Sequence, residues 1–105
     1  MKPQYERMAR FLWSSKDDRV SLTFDEIARI VSGDLPKSAR DSRESWSNNP
    51  GGFGMTRMWL AAGYKTSKVD IARMRVTFER ENQGVPDQCW REVVKIALGV
   101  DLPPR

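Results

Sequence analysis

The 105-residue sequence contains no histidine and a single cysteine, Cys89. Without imidazole, no Ser-His-Asp or Cys-His nucleophile can be assembled and no His-based zinc site can form. One thiol excludes an intramolecular disulfide and, lacking nitrogen partners, a structural zinc site; it agrees with a reducing compartment. Long apolar runs are also missing. Nothing approaches a membrane span, and the opening MKPQYERMAR has no signal-peptide core, so a cytoplasmic location is expected. Enzyme chemistry is narrowed to carboxylates with magnesium or to a Ser-Lys pair.

What is present is one domain's worth of apolar residues, 39% of the chain with 10% aromatic, and a formal charge of +4. The charge is unevenly placed. Residues 1–36 hold six basic and six acidic groups, and residues 81–105 hold three and four. Residues 37–80 hold nine basic groups against four acidic ones. A positive field concentrated in the middle of a small domain attracts polyanions, above all nucleic acid.

Tyr5, Met8, Ala9 and Leu12 recur at helical spacing, predicting a helix over about Pro3 to Ser14. Val20 and Leu22 alternate with Ser21 as in a short strand. Thr23 and Glu26 then form a capping box, with Leu22 and Ile27 placed as a hydrophobic staple. Phe24, Ile27, Ala28, Ile30 and Val31 make the apolar stripe of that helix, and Gly33 is expected in the left-handed position that ends it. Pro36 and Ser38 open a helix running through SARDSRESW, with Ala39, Ser42 and Trp46 inward. NNPGGFG reads as a loop. MTRMWLAAG reads as a short helix capped by Thr56 and closed by Gly63, with Trp59, Leu60 and Ala62 as core.

YKTSKVDIARMRVTFERE predicts a hairpin turning near Ala72 and Arg73. Met74, Val76 and Phe78 line its apolar face, and the parity change after Thr66 predicts a bulge or twist near Ser67. Past NQGV, Pro86 opens a last helix with Trp90, Val93, Val94 and Ala97 as its stripe and Gly99 as its end. VDLPPR reads as a tail. Helix, short strand, helix, helix, short helix and a two-stranded hairpin match the order of an α+β winged helix-turn-helix domain, with the hairpin as wing. The expected organisation is a winged-helix-like unit over residues 1–80, with a C-terminal amphipathic helix and tail over 81–105 packed on it.

The residues Leu22-Thr23-Phe24, Glu26-Ile27, Leu35-Pro36, Ser38-Ala39, Trp46, Asn48, Ala62-Gly63, Val69-Asp70 and Val76-Thr77-Phe78 form a spaced pattern over about residues 5–80. It resembles DUF7662, a widespread prokaryotic domain family of unknown function. Ser45 and Tyr64 stand where that family has tryptophans. The resemblance implies one compact unit and supplies no activity. It also implies that Trp46 plugs the core, and that Ser45 removes aromatic surface beside it.

Three functions follow from the residues. The first is nucleic-acid binding, with DNA favoured over RNA because the order resembles a helix-turn-helix. Lys37, Arg40 and Arg43 on the third helix would meet phosphates, as would Arg57, Lys65, Lys68, Arg73 and Arg75 on the following helix and hairpin. Asn48 and Asn49 either read a base edge or, respectively, cap the helix end and precede the proline turn. The second is a protein-binding inhibitor of the anti-CRISPR kind, from a phage or mobile element. It would act on a host nucleic-acid-handling defence complex or on its nucleic acid, and Trp13 and Trp90 would join the contact if exposed. The third is a magnesium nuclease using Asp70 and Glu79, although such residues on a hairpin more commonly face Lys and Arg across strands. The expectation is a non-enzymatic protein without cofactor or metal.

Overall fold

The computed structural model describes residues 3–33, 35, 37–49, 55–82 and 84–104. Pro36 as a helix opener, residues 50–54 of the expected loop and Gln83 lie outside the described residues. The first helix, α1 (Pro3–Ser14), buries Tyr5, Met8, Ala9 and Leu12, the spacing its sequence predicts, and adds Trp13. Strand β1 (Arg19–Thr23) runs directly into α2 (Phe24–Val31) through the capping box. The Glu26 N–H donates to Thr23 Oγ1 at 3.1 Å, and the Thr23 N–H donates to Glu26 Oε1 at 3.0 Å. These bonds satisfy two of the donors a helix start leaves open. Phe24, Ile27 and Val31 are buried.

Four expectations along this part of the chain need correction. Ser32, not Gly33, takes the left-handed position, at φ 58°. Its N–H and that of Gly33 close onto the Arg29 and Ala28 carbonyls at 3.2 and 3.1 Å. The helix over SARDSRESW is broken into α3 (Lys37–Asp41) and a 3-10 turn (Arg43–Trp46), with Ser42 capping the turn through its side chain. The reason lies in Trp46, whose Nε1 donates to the Ala39 carbonyl at 2.7 Å, the acceptor that the Arg43 N–H would use in a continuous helix. Ser45, rather than Ser42, faces inward. Finally, Thr56 is the first residue of α4 (Thr56–Ala61) and not its cap; its hydroxyl donates to the Ser47 carbonyl at 3.0 Å.

Strands β2 (Tyr64–Asp70) and β3 (Arg75–Arg80) form the hairpin, and β3 also pairs with β1, giving an antiparallel sheet in the order β1-β3-β2. The register shifts between Thr66 and Lys68, where the sequence predicts the bulge. Leu22, Tyr64, Val76 and Phe78 are buried on the helical side. The other side carries three cross-strand rows: Arg19, Glu79 and Lys65; Ser21, Thr77 and Lys68; Thr23, Arg75 and Asp70. Met74 leaves the apolar face. It sits in the turn at φ 53°, half exposed, and its carbonyl accepts the Phe24 N–H at 2.8 Å, which fastens the hairpin tip to the start of α2.

The core closes around a stack of rings. Phe24 and Trp46 lie 5.1 Å apart and Trp46 and Trp59 5.7 Å apart, both nearly parallel, and Phe78 is tilted against Trp59 at 5.7 Å. Helix α1 packs on α2 and α4 over this stack. Helix α5 (Asp87–Leu98) ends at Gly99 in the left-handed region and turns Trp90, Val94 and Leu98 toward the core. Val93 and Ala97, expected in its stripe, are exposed, because the inward row runs 90-94-98. The tail is not loose: Val100 and Leu102 are buried, and the Pro103 carbonyl accepts the Trp13 indole N–H at 2.7 Å. No helix among the described residues is long and apolar enough to cross a membrane.

Candidate nucleic-acid interface

The segment from Arg43 to Asn48 lies along the free edge of β2. The Asn48 amide behaves there like a strand residue. Its Oδ1 accepts the Thr66 N–H at 2.9 Å and its Nδ2 donates to the Thr66 carbonyl at 3.1 Å. The same Oδ1 accepts from Trp59 Nε1 at 3.0 Å and from the Thr66 hydroxyl at 3.1 Å. The edge strand's N–H and carbonyl at Thr66 are thereby covered. Asn48 does not cap a helix, and its Oδ1 is engaged within the protein. Asn49 is exposed, and its backbone N–H donates to Ser47 Oγ at 3.2 Å.

Arg43 joins the same edge, donating from Nη2 to the Val69 carbonyl at 3.0 Å while staying exposed. It lines a groove of about 480 Å³ with Lys68, Val69, Asp70 and Ile71. Arg73 follows at the turn, 85% exposed, with Nε 3.8 Å from Asp70 Oδ2. Arg75 faces Asp70 across the strands and reaches Ser21 Oγ at 3.4 Å. Four cations thus gather at the Asp70 end of the hairpin. The carboxylates facing them are Asp70 and, beside Arg75, Glu26. The Glu26 carboxyl is held below its usual range, first by the Thr23 backbone N–H and then by the Thr23 hydroxyl; burial opposes them, and the charges of Arg75 and Arg29 add smaller lowering effects.

The other expected cations are not brought there. Arg40 lies 3.5 Å from Asp25, and Lys65 lies 3.8 Å from Glu81 at the far end of β2. Lys37 and Arg57 are exposed on α3 and α4, with no ion pair among the described residues. Arg80, counted in the basic stretch, is structural. Its Nη2 donates to the Ser15 carbonyl at 2.8 Å and to the Tyr64 hydroxyl at 3.0 Å, and its guanidinium lies over the Tyr64 ring. Its Nε is 3.5 Å from Asp18, a charge contact without hydrogen-bond geometry.

Asp70 and Glu79 do not form a carboxylate pair. Asp70 faces Arg75, and Glu79 lies four residues farther along β3, about 13 Å away, bonded to Arg19. Trp46 is 1% exposed and belongs to the core. Ser45 is buried too, so the tryptophan missing there takes away interior volume and not surface; Ser45 Oγ has no partner among the described residues. Trp13 is fully buried, and Trp90 is half-buried with its indole N–H on the Ala61 carbonyl at 2.9 Å, so neither offers an open aromatic face.

Arg7, Arg10 and Phe11, all exposed on α1, are not among the residues expected to form a site. The neutral count for residues 1–36 hid them. Within that count Asp18 and Asp25 face Arg80 and Arg40, Glu26 is engaged in the capping box, and Arg7 and Arg10 make no ion pair among the described residues. An Arg pair three apart, next to a phenylalanine outside the buried stripe, was the available signal.

The family model described as Domain of unknown function (DUF7662) matches residues 5–81, most of the 105-residue chain, and the chain belongs to that family. No curated protein and no solved structure matches it. The motif residues Thr23, Glu26, Trp46, Asn48 and Phe78 all hold the scaffold together.

Proposed function

We propose that this DUF7662 member is a non-catalytic cytoplasmic protein that binds nucleic acid, DNA in preference to RNA, as a winged-helix-type domain. Its contacts are to backbone phosphates, made by Arg43, Lys68, Arg73 and Arg75. Two features support the wing as the contact. A helix, a strand, further helices and a closing hairpin, with sheet order β1-β3-β2, resemble the arrangement expected of a winged helix, with α2, α3, the 3-10 turn and α4 in place of its second and third helices. The helix before the hairpin, α4, has only six residues and exposes only Arg57 as a cation, too little to read a major groove. With the Asn48 acceptor engaged by the protein, binding rests on phosphate contacts and carries little sequence preference.

The observation that carries the reading is the convergence of four cations at one end of the hairpin. It is tested by fluorescence anisotropy with a short DNA duplex. Reversing Lys68→Glu and Arg75→Glu together is expected to weaken binding by roughly 10-fold per lost phosphate contact near 0.1 M salt. Lys37→Glu with Arg57→Glu is expected to leave it within about 2-fold, beyond a general field effect. Equal losses from both pairs would refute a localised wing contact.

A second reading rests on a different surface. Helix α5 leaves Val93 56% and Ile96 88% exposed, apolar area that an inhibitor of a host defence complex would bury on its target. Association with such a complex that persists after nuclease treatment supports it; loss on treatment returns the case to nucleic acid.

A further inference from the structure

Helix α1 buries one side completely and carries a distinct chemistry on the other. Phe11 is 42% exposed, and with Arg7, Arg10, Ser14, Ser15 and Ile30 of α2 it lines a cleft of about 640 Å³. Phe11 and Ile30 provide the apolar part. Arg7 and Arg10 stand one turn apart at its side, and Glu6, the one carboxylate of α1, makes no ion pair with either among the described residues. The cleft is separate from the wing. The hairpin tip meets α2 at Phe24, and Ile30 lies six residues farther along that helix, about 9 Å on.

We infer that this cleft docks an acidic amphipathic helix of a partner protein. Leu- or Phe-type side chains would cover Phe11 and Ile30, and carboxylates three or four residues apart would meet Arg7 and Arg10. Charge complementarity selects the occupant. Two guanidiniums without an ion pair among the described residues, beside an apolar floor, match a surface that alternates carboxylates and aliphatic groups at helical spacing. A nucleic-acid base is the poorer fit, because Arg7 and Arg10 can only donate, and among the lining side chains only the Ser14 and Ser15 hydroxyls could accept from its polar edge. The inference does not depend on the wing.

The test uses the full chain and a labelled synthetic peptide with Glu and Leu at helical spacing. The same composition scrambled, the Glu→Gln analogue and an oligo-dT strand serve as comparisons. The amphipathic peptide is expected to bind and to shift the amide resonances of Arg7, Phe11 and Ile30. Its affinity should fall at least ~10-fold in Arg7→Glu/Arg10→Glu and fall also in Phe11→Ser, whose folding is checked by its melting curve. The scrambled and Gln peptides should bind much more weakly, and duplex DNA affinity should change little. The inference is overturned by absence of binding, by equal binding of the scrambled peptide, by resonance shifts elsewhere, or by oligo-dT binding that depends on Phe11.

Discussion

Replacing Asn48 by alanine tests whether the segment from Arg43 to Asn48 is part of the scaffold. The change removes an acceptor from three donors: Trp59 Nε1, the Thr66 N–H and the Thr66 hydroxyl. The hydroxyl keeps a bond to the Trp46 carbonyl at 2.7 Å, so its loss is small. Trp59 is fully buried, and its indole N–H would carry a desolvation cost of about 1–3 kcal/mol. Thr66 is only half-buried and water can reach its N–H, which holds that contribution to about 1 kcal/mol. The expected destabilisation is therefore about 2–4 kcal/mol, a fall in Tm of roughly 10–20 °C for a domain of this size. Asn48→Asp should cost about half as much, since it keeps the acceptor but turns an oxygen toward the Thr66 carbonyl. Thermal unfolding followed by far-UV circular dichroism reads both. A melting temperature within about 2 °C of the parent, accompanied by lost DNA affinity, would refute the structural role and restore Asn48 as a base reader.

Trp46→Ala, which removes the middle of the ring stack, should destabilise by about 3–5 kcal/mol in urea titration. Gly63→Ala places a Cβ against the Asn82 amide at φ +84°, and about 3 kcal/mol or more is expected; Gly99→Ala, left-handed but with open space, should cost about 1–2 kcal/mol by the same assay. The depressed Glu26 carboxyl binds fewer protons folded than unfolded. Its contribution is therefore present above the ordinary carboxylate pKa of about 4.3 and is lost as pH falls through the lower folded value. Glu26→Gln, which keeps the capping geometry, should show a shallower loss of stability over that acid range in unfolding measured against pH.

Local chemistry was readable and tertiary chemistry was not. Thr23 and Glu26 lie three apart and specify their own helix start. The bulge after Thr66 appears as a change of parity within one strand. The break at Ser42 depends on an indole reaching the Ala39 carbonyl, a bond between residues seven apart that no local pattern encodes. On α5 Val93 and Val94 are equally apolar, and what selects Val94 is the packing that also buries Val100 and Leu102. For the site, the sequence located an excess of charge but not its compensation. Arg40, Lys65 and Arg80 meet carboxylates 15 to 62 residues away, whereas Arg43, Lys68, Arg73 and Arg75 are drawn together by strand register.

The salt dependence of duplex DNA binding measures the phosphate contacts directly. With Arg43, Lys68, Arg73 and Arg75 as donors, a plot of log K against log salt should have a slope of roughly −3 to −4, and Lys68→Glu/Arg75→Glu should make it shallower by about 2. An unchanged slope in that variant, or no binding by the parent at low salt, would contradict the account.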